Sequence, residues 1–304
     1  MLGTPIHPNT QNITHRRNTL FCSPLKPREQ ELLISLYSQI NGMHPTNNKV
    51  VRLDSINPIT VSTVGFFDFL TTNLAVFPSN LPRAHTWRQS GSPHRWSEAY
   101  ALLRTVRSAV GPLQVNSIQE VLQNASLANI TAVSVMIIDS ENRVGIVERP
   151  SGLAVASGQY AATATGTVLP EDLRRKNPFS AAACRELKEE VNLDCKLIDD
   201  GLVMPRQKMQ PIWLFHGHLE ERWEDVKDRM LAARDHEREV SRVVPITLTD
   251  PEQVARAVSD SRMSDTAAYH LWLLAAQANG EDAMAKAWGQ TRWHPRFLKR
   301  RQLT

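Results

Sequence analysis

The stretch NPFSAAACRELKEEVNL, residues 177–193, constrains this chain most, because its ends and its faces ask for one helix. Asn177 is a favoured N-cap, and Pro178 suits the first helical position, where its missing N–H loses no partner and its fixed φ is already helical. Asn192 stands just past the far end, where a left-handed residue is wanted and Asn is second only to Gly. At about 100° per residue, Ala183, Cys184, Leu187 and Val191 fall on one arc, which predicts a packing face. Glu186, Glu189 and Glu190 share a second arc.

Like charges meet on that second arc. Glu186 is three residues from Glu189 and four from Glu190, spacings at which each pair costs roughly 0.2–0.5 kcal/mol, and Arg185 offsets only part of this. A solvated face is the bland account of such a cluster. The chemical account is a site for a hard divalent cation, Mg²⁺ or Mn²⁺, whose shell is completed by substrate phosphates.

The run from Arg185 to Leu193, RELKEEVNL, resembles the second half of the Nudix box, Gx5Ex7REUxEExGU with U aliphatic, departing from it at Asn192. The first half is not matched. Asn177 stands where the family has a glutamate and Glu171 where it has the opening glycine, so either Gly166 serves as that glycine with a longer connection or the box is degenerate. The resemblance implies an α/β chain, a Nudix-type α/β/α sandwich with an N-terminal α+β extension and a C-terminal helical segment. It also implies that Glu186, Glu189 and Glu190 hold Mg²⁺ or Mn²⁺ and that Arg185 orients them by a salt bridge. The reaction implied is hydrolysis of a nucleoside diphosphate linked to another moiety. Family members often draw a further glutamate from a later loop; in RDHERE, residues 234–239, Glu237 is the first candidate and Glu239 the second, against a solvated loop carboxylate. Glu189 or Glu237 is then the general base.

A second resemblance bears on substrate. VRLDSINPITVSTVGFFDFLTTN, a following hairpin, a long connection before the box, EEVNLD at its end and DHE in the later loop are together similar to the Nudix branch that splits UDP-glucose and UDP-galactose into UMP and sugar 1-phosphate. ADP-ribose or dinucleotide substrates are the alternatives within the enzyme class, and a nucleotide sensor that no longer cleaves is the alternative outside it. The expected partner is a small nucleotide-linked molecule; oligomeric state is left open.

The 304 residues, 41% hydrophobic, suffice for a sizeable core, and a net charge of +4 is compatible with an anionic substrate without demanding one. No apolar run approaches the roughly 20 residues of a membrane span, and the start, MLGTPIHPNTQN, is polar. We therefore expect no membrane partner and a cytoplasmic protein with Cys22, Cys184 and Cys195 reduced. Residues 1–24 form a loose arm, 25–126 an N-terminal subdomain, 127–250 the Nudix-type domain, and 251–304 C-terminal helices with a basic tail. The tail, RWHPRFLKRR, is taken as a solvated terminus rather than a nucleic-acid contact.

Periodicity predicts helices over 28–40, 97–110, 117–124, 220–233, 252–259 and 265–278, and strands over 49–53, 59–64, 131–139, 143–147, 160–165, 195–198, 210–219 and 240–248. Residues 170–176 form a polar insert. The aromatic segment FFDFLTTN is read as core packing of Phe66, Phe67 and Phe69. Residues 77–96 are a long loop in which Trp87, with Trp96, His85 and His94, offers a stacking platform for a base. The small-residue strand that ends at Gly166 lets backbone approach a phosphate closely, or simply packs.

Overall fold

The computed structural model describes residues 4–41, 45–76, 93–111, 117–150, 158–235, 240 and 242–289. The chain is a mixed α/β protein built on two sheets. Strand β1 (Thr14–His15) pairs in parallel with β3 (Ile59–Gly65), which pairs antiparallel with β2 (Lys49–Ile56). Helix α1 (Pro27–Asn41) precedes this sheet, and α2 (Phe66–Thr71), α3 (Asn73–Val76), α4 (Pro93–Val110) and α5 (Ile118–Gln123) follow it. The predicted loop over 77–96 ends early, because α4 begins at Pro93, a residue suited to a first helical turn.

The larger sheet has the order β10-β5-β4-β9-β8. Its strands are β4 (Ala132–Ile138), β5 (Arg143–Glu148), β8 (Leu197–Val203), β9 (Ile212–His218) and β10 (Arg242–Thr247). β4 runs parallel to β9, and β8 and β10 are antiparallel to their neighbours. The strand predicted over 160–165 is broken in two: β6 (Tyr160–Ala161) pairs with β5, and β7 (Ala164–Thr167) pairs with β4. Thr163 bridges the break, its Oγ1 accepting from Ile137 N at 3.0 Å and donating to Gly145 O at 2.7 Å. One hydroxyl thus satisfies a backbone group on each diverging strand.

All seven residues of β4 are buried, which marks a strand covered on both faces. Val133, Val135 and Ile137 join a core with Phe179, Ala182, Ala183, Leu187 and Val191 of helix α6 (Pro178–Val191). The Phe179 ring stacks on Trp213 of β9, centroids 3.6 Å apart and 8° from parallel. Both side chains are fully buried, each contributing about 1.5–3 kcal/mol. The same core takes in Val51, Leu53 and Val61 of the smaller sheet, so the N-terminal segment shares apolar contacts with this face.

Met136 and Ile138 point the other way, into a cluster with α8 (Pro251–Ser259), α9 (Asp265–Asn279) and α10 (Glu281–Gly289). The sandwich has helices on both faces, with α7 (Trp223–Leu231) packed beside α6. Helix α10 was not anticipated: Gly280, at φ 83°, ends α9, and nine residues with three buried side chains are too few to show a period. Asp200 ties β8, β9 and α9 together, accepting from His216 Nδ1 at 2.8 Å and from the fully buried His270 Nε2 at 2.9 Å.

The N-terminal arm, expected to be loose, is pinned at three points: β1, the Ile6–Leu202 bridge, and a 2.8 Å bond from Cys22 N to Ala125 O. No helix among the described residues is long and apolar enough to cross a membrane.

Candidate functional site

Helix α6 is delimited by its asparagines. Asn177 Oδ1 accepts from Ser180 N at 3.2 Å, and Asn192 adopts φ 50°, ψ 35°, its N–H returning to Lys188 O. The buried side of this helix differs from the expected one. Cys184 is exposed, whereas Glu190 is only 4% exposed and lies among Ala182, Ala183, Leu187 and Val191. The packing face is rotated toward the glutamates, because the sheet edge beside them is made of small residues. At Gly166 of β7 any Cβ would overlap the Glu186 carboxylate, so glycine is what admits that side chain. Both Glu190 oxygens lie 3.3 Å from the amide of Thr165 next to it.

Arg185 gathers the acids. Its Nη1 donates to Glu186 at 2.7 Å and Glu189 at 3.3 Å, and its Nη2 to Asp172 at 3.0 Å and to Thr167 O at 2.8 Å. Asp172 sits buried in a 3-10 turn (Asp172–Arg174) inside the predicted polar insert and also accepts from Leu169 N. Burial disfavours the Arg185 charge, but Asp172 and Glu186 outweigh it and hold the guanidinium above its usual pKa. Three carboxylates meet one guanidinium. Burial pushes the Glu186 carboxyl up to about 7; Arg185 opposes this, and Glu189 and Asp172 reinforce it. The exposed Arg234 adds a 2.9 Å contact to Glu189, and Asp235 N donates to Glu189 O at 2.9 Å, which fastens the loop after α7 to α6.

Glu186, Glu190 and Asp235 line a cavity of about 330 Å³. Arg149 and Lys208 line it too, with Thr165, Gly166 and Thr167 of β7, Ser134 of β4, and Ser264 and Thr266 at the start of α9. Arg149 Nη1 donates to Thr165 Oγ1 at 3.1 Å. Burial, with Arg149 nearby, lowers the Lys208 ammonium to about 8 against the pull of Asp265. Carboxylates and cations thus face one small space.

Of the residues the sequence singled out, Gly166, Glu186 and Glu190 meet at this cavity, and Arg185 and Glu189 pack behind them in the ion-pair network. Trp87, Glu237 and Glu239 lie outside the described residues, as does the basic tail. No three His, Cys, Asp or Glu side chains among the described residues converge on a single cation position. Arg149, Lys208, Asp172 and Asp235 were not anticipated. Asp172 precedes Arg185 by 13 residues and Lys208 follows it by 23, and no sequence periodicity links such positions. Phe66 and Phe69, expected in the core, also border the cavity.

No protein-family model and no curated protein matches the chain. Among solved structures it is similar to DR0079 from Deinococcus radiodurans, with 14% identity over 47% of this chain and 80% of that one, at a TM-score of 0.36. It is likewise similar to the MutT protein from Methanosarcina mazei Go1, with 12% identity over 49% and 94% and a TM-score of 0.36. Tm1382, described provisionally as a Nudix hydrolase, is 19% identical over 48% and 70%, with a TM-score of 0.33.

Proposed function

We propose that this chain is a metal-dependent hydrolase of the Nudix kind that cleaves the diphosphate of a nucleoside diphosphate linked to another group. One observation carries it: the box-helix glutamates Glu186 and Glu190 are turned into a cavity that also presents Arg149 and Lys208. A solvated charged face would leave them outside.

The donor set suits Mg²⁺ or Mn²⁺. Glu186 and Glu190 offer hard carboxylate oxygens, and a carboxyl that burial has pushed up to about 7 gains from a cation beside it. Such an ion, when bound, neutralises diphosphate oxygens and lowers the pKa of a water. The chain's own residues do the rest. Arg149 and Lys208 receive phosphate oxygens, Arg185 fixes Glu186 and Glu189 in place, and Gly166 of β7 leaves the room that the Glu186 carboxylate occupies. Glu189 or Glu237 takes the proton from the attacking water.

At the finer level we favour UDP-glucose and UDP-galactose, giving UMP and sugar 1-phosphate, on the order of motifs from VRLDSINPITVSTVGFFDFLTTN through EEVNLD to DHE. A nucleotide sensor is the second reading, and Asn177 in place of the box glutamate speaks for it. The deciding assay is product release from a panel of nucleotide sugars and dinucleotides with Mg²⁺, comparing the parent chain with Glu190→Gln. UMP from UDP-glucose, abolished by the substitution and by EDTA, is the expected result. Nucleotide binding without turnover of any compound would leave the sensor and remove the enzyme.

A further inference from the structure

We infer that Phe66, backed by Phe69, is the specificity wall of this cavity: a flat apolar surface that takes the ring end of a ligand whose phosphate end lies on Arg149 and Lys208. This rests on the hydrolase proposed above and adds to it the residue that selects the non-phosphate half of the substrate.

The two rings are not equivalent. Phe69 is 1% exposed and belongs to the core with Val50, Val64 and Ile130, whereas Phe66 is half-buried and packs only at the margin of that core. Their centroids are 6.2 Å apart at 37°, so one ring supports the other. Helix α2 is six residues long and would not hold its shape alone. It is held by its own cap, Gly65 N donating to Asp68 Oδ2 at 2.8 Å, and from outside by Gln30 Nε2, which donates to Asp68 Oδ1 at 2.9 Å, and by Asn47 Oδ1, which accepts from Phe67 N at 2.9 Å. Phe66 is therefore a pre-positioned ring, and a ligand that stacks on it loses little to ordering.

The cavity lining is of two kinds. Arg149, whose Nη1 donates to Thr165 Oγ1 of β7, and Lys208 supply positive charge, while Phe66, Phe69, Ala132 and Ile212 supply apolar surface. An inorganic phosphate can use only the first kind; a phosphate joined through a ribose to a planar base can use both.

Calorimetric titration of the full-length chain with UDP and with inorganic pyrophosphate, each with Mg²⁺, tests this directly. Phe66→Ala is expected to weaken UDP roughly 10- to 100-fold, in the range of one lost base stack, and to leave pyrophosphate within twofold. Phe66→Leu keeps the apolar volume without the ring and should fall between parent and alanine, which separates stacking from packing. An unchanged UDP-to-pyrophosphate ratio in both variants, or a leucine variant equal to the parent, overturns the specificity wall and leaves the hydrolase standing. A parent chain that binds neither compound overturns both.

Discussion

Among the described residues, the network around Asp200 and the one around Arg185 are built on opposite plans. Asp200 receives one imidazole from β9 and one from α9, and its charge is answered from within the protein. Around Arg185 the balance runs the other way, with Asp172, Glu186 and Glu189 on one guanidinium and Glu186 and Glu190 facing an open cavity. The first ties three elements together; the second sets three carboxylates on one guanidinium beside a cavity that Arg149 and Lys208 also line. Substitution should therefore separate the two.

The largest contrast is expected in turnover. Glu186→Gln should lower product release by on the order of 10²–10³ while leaving thermal stability equal or higher, since it removes a repelled charge. Asp200→Ala should do the reverse: loss of about 3 kcal/mol in a urea titration, because the buried His270 and the part-buried His216 lose the carboxylate that pairs with both, with kcat of the folded fraction unchanged.

Next comes pH, where the two clusters carry opposite signs. Glu186 sits near 7 in the folded chain against an ordinary 4.5, so without metal its contribution is full below 4.5 and is lost as pH rises through 7. Burial holds His270 below its ordinary 6.5 despite the opposing pull of Asp200, so its contribution is full above 6.5 and is lost as pH falls further. In EDTA, stability measured from pH 4 to 8 should lose its alkaline decline in Glu186→Gln and its acid decline in His270→Gln. The smallest effect belongs to Asn177→Ala, about 1 kcal/mol of stability from one missing N-cap and no change in kcat; a large loss of activity there would place Asn177 in the site.

Local chemistry was legible in the sequence. The ends of α6 follow from Asn177, Pro178 and Asn192, and strand β4 from the β-rich run TAVSVMIID. What was misread depended on long-range packing. Cys184 falls on the expected packing arc and Glu190 on the charged one, yet Cys184 is exposed and Glu190 buried, because the wheel fixes relative directions only and the small residues of β7 decide which way the helix turns. Asp172 and Lys208 join the site through loops whose paths no period encodes. The division of labour between Phe66 and Phe69 was equally hidden, since both are phenylalanines at helical spacing.

A Cβ at 166 would fall in the space of the Glu186 carboxylate, so even alanine there obliges that carboxylate to swing away from its place beside Arg185. Gly166→Ala is thus a way to displace the acid from the strand side while every residue of α6 stays as it is.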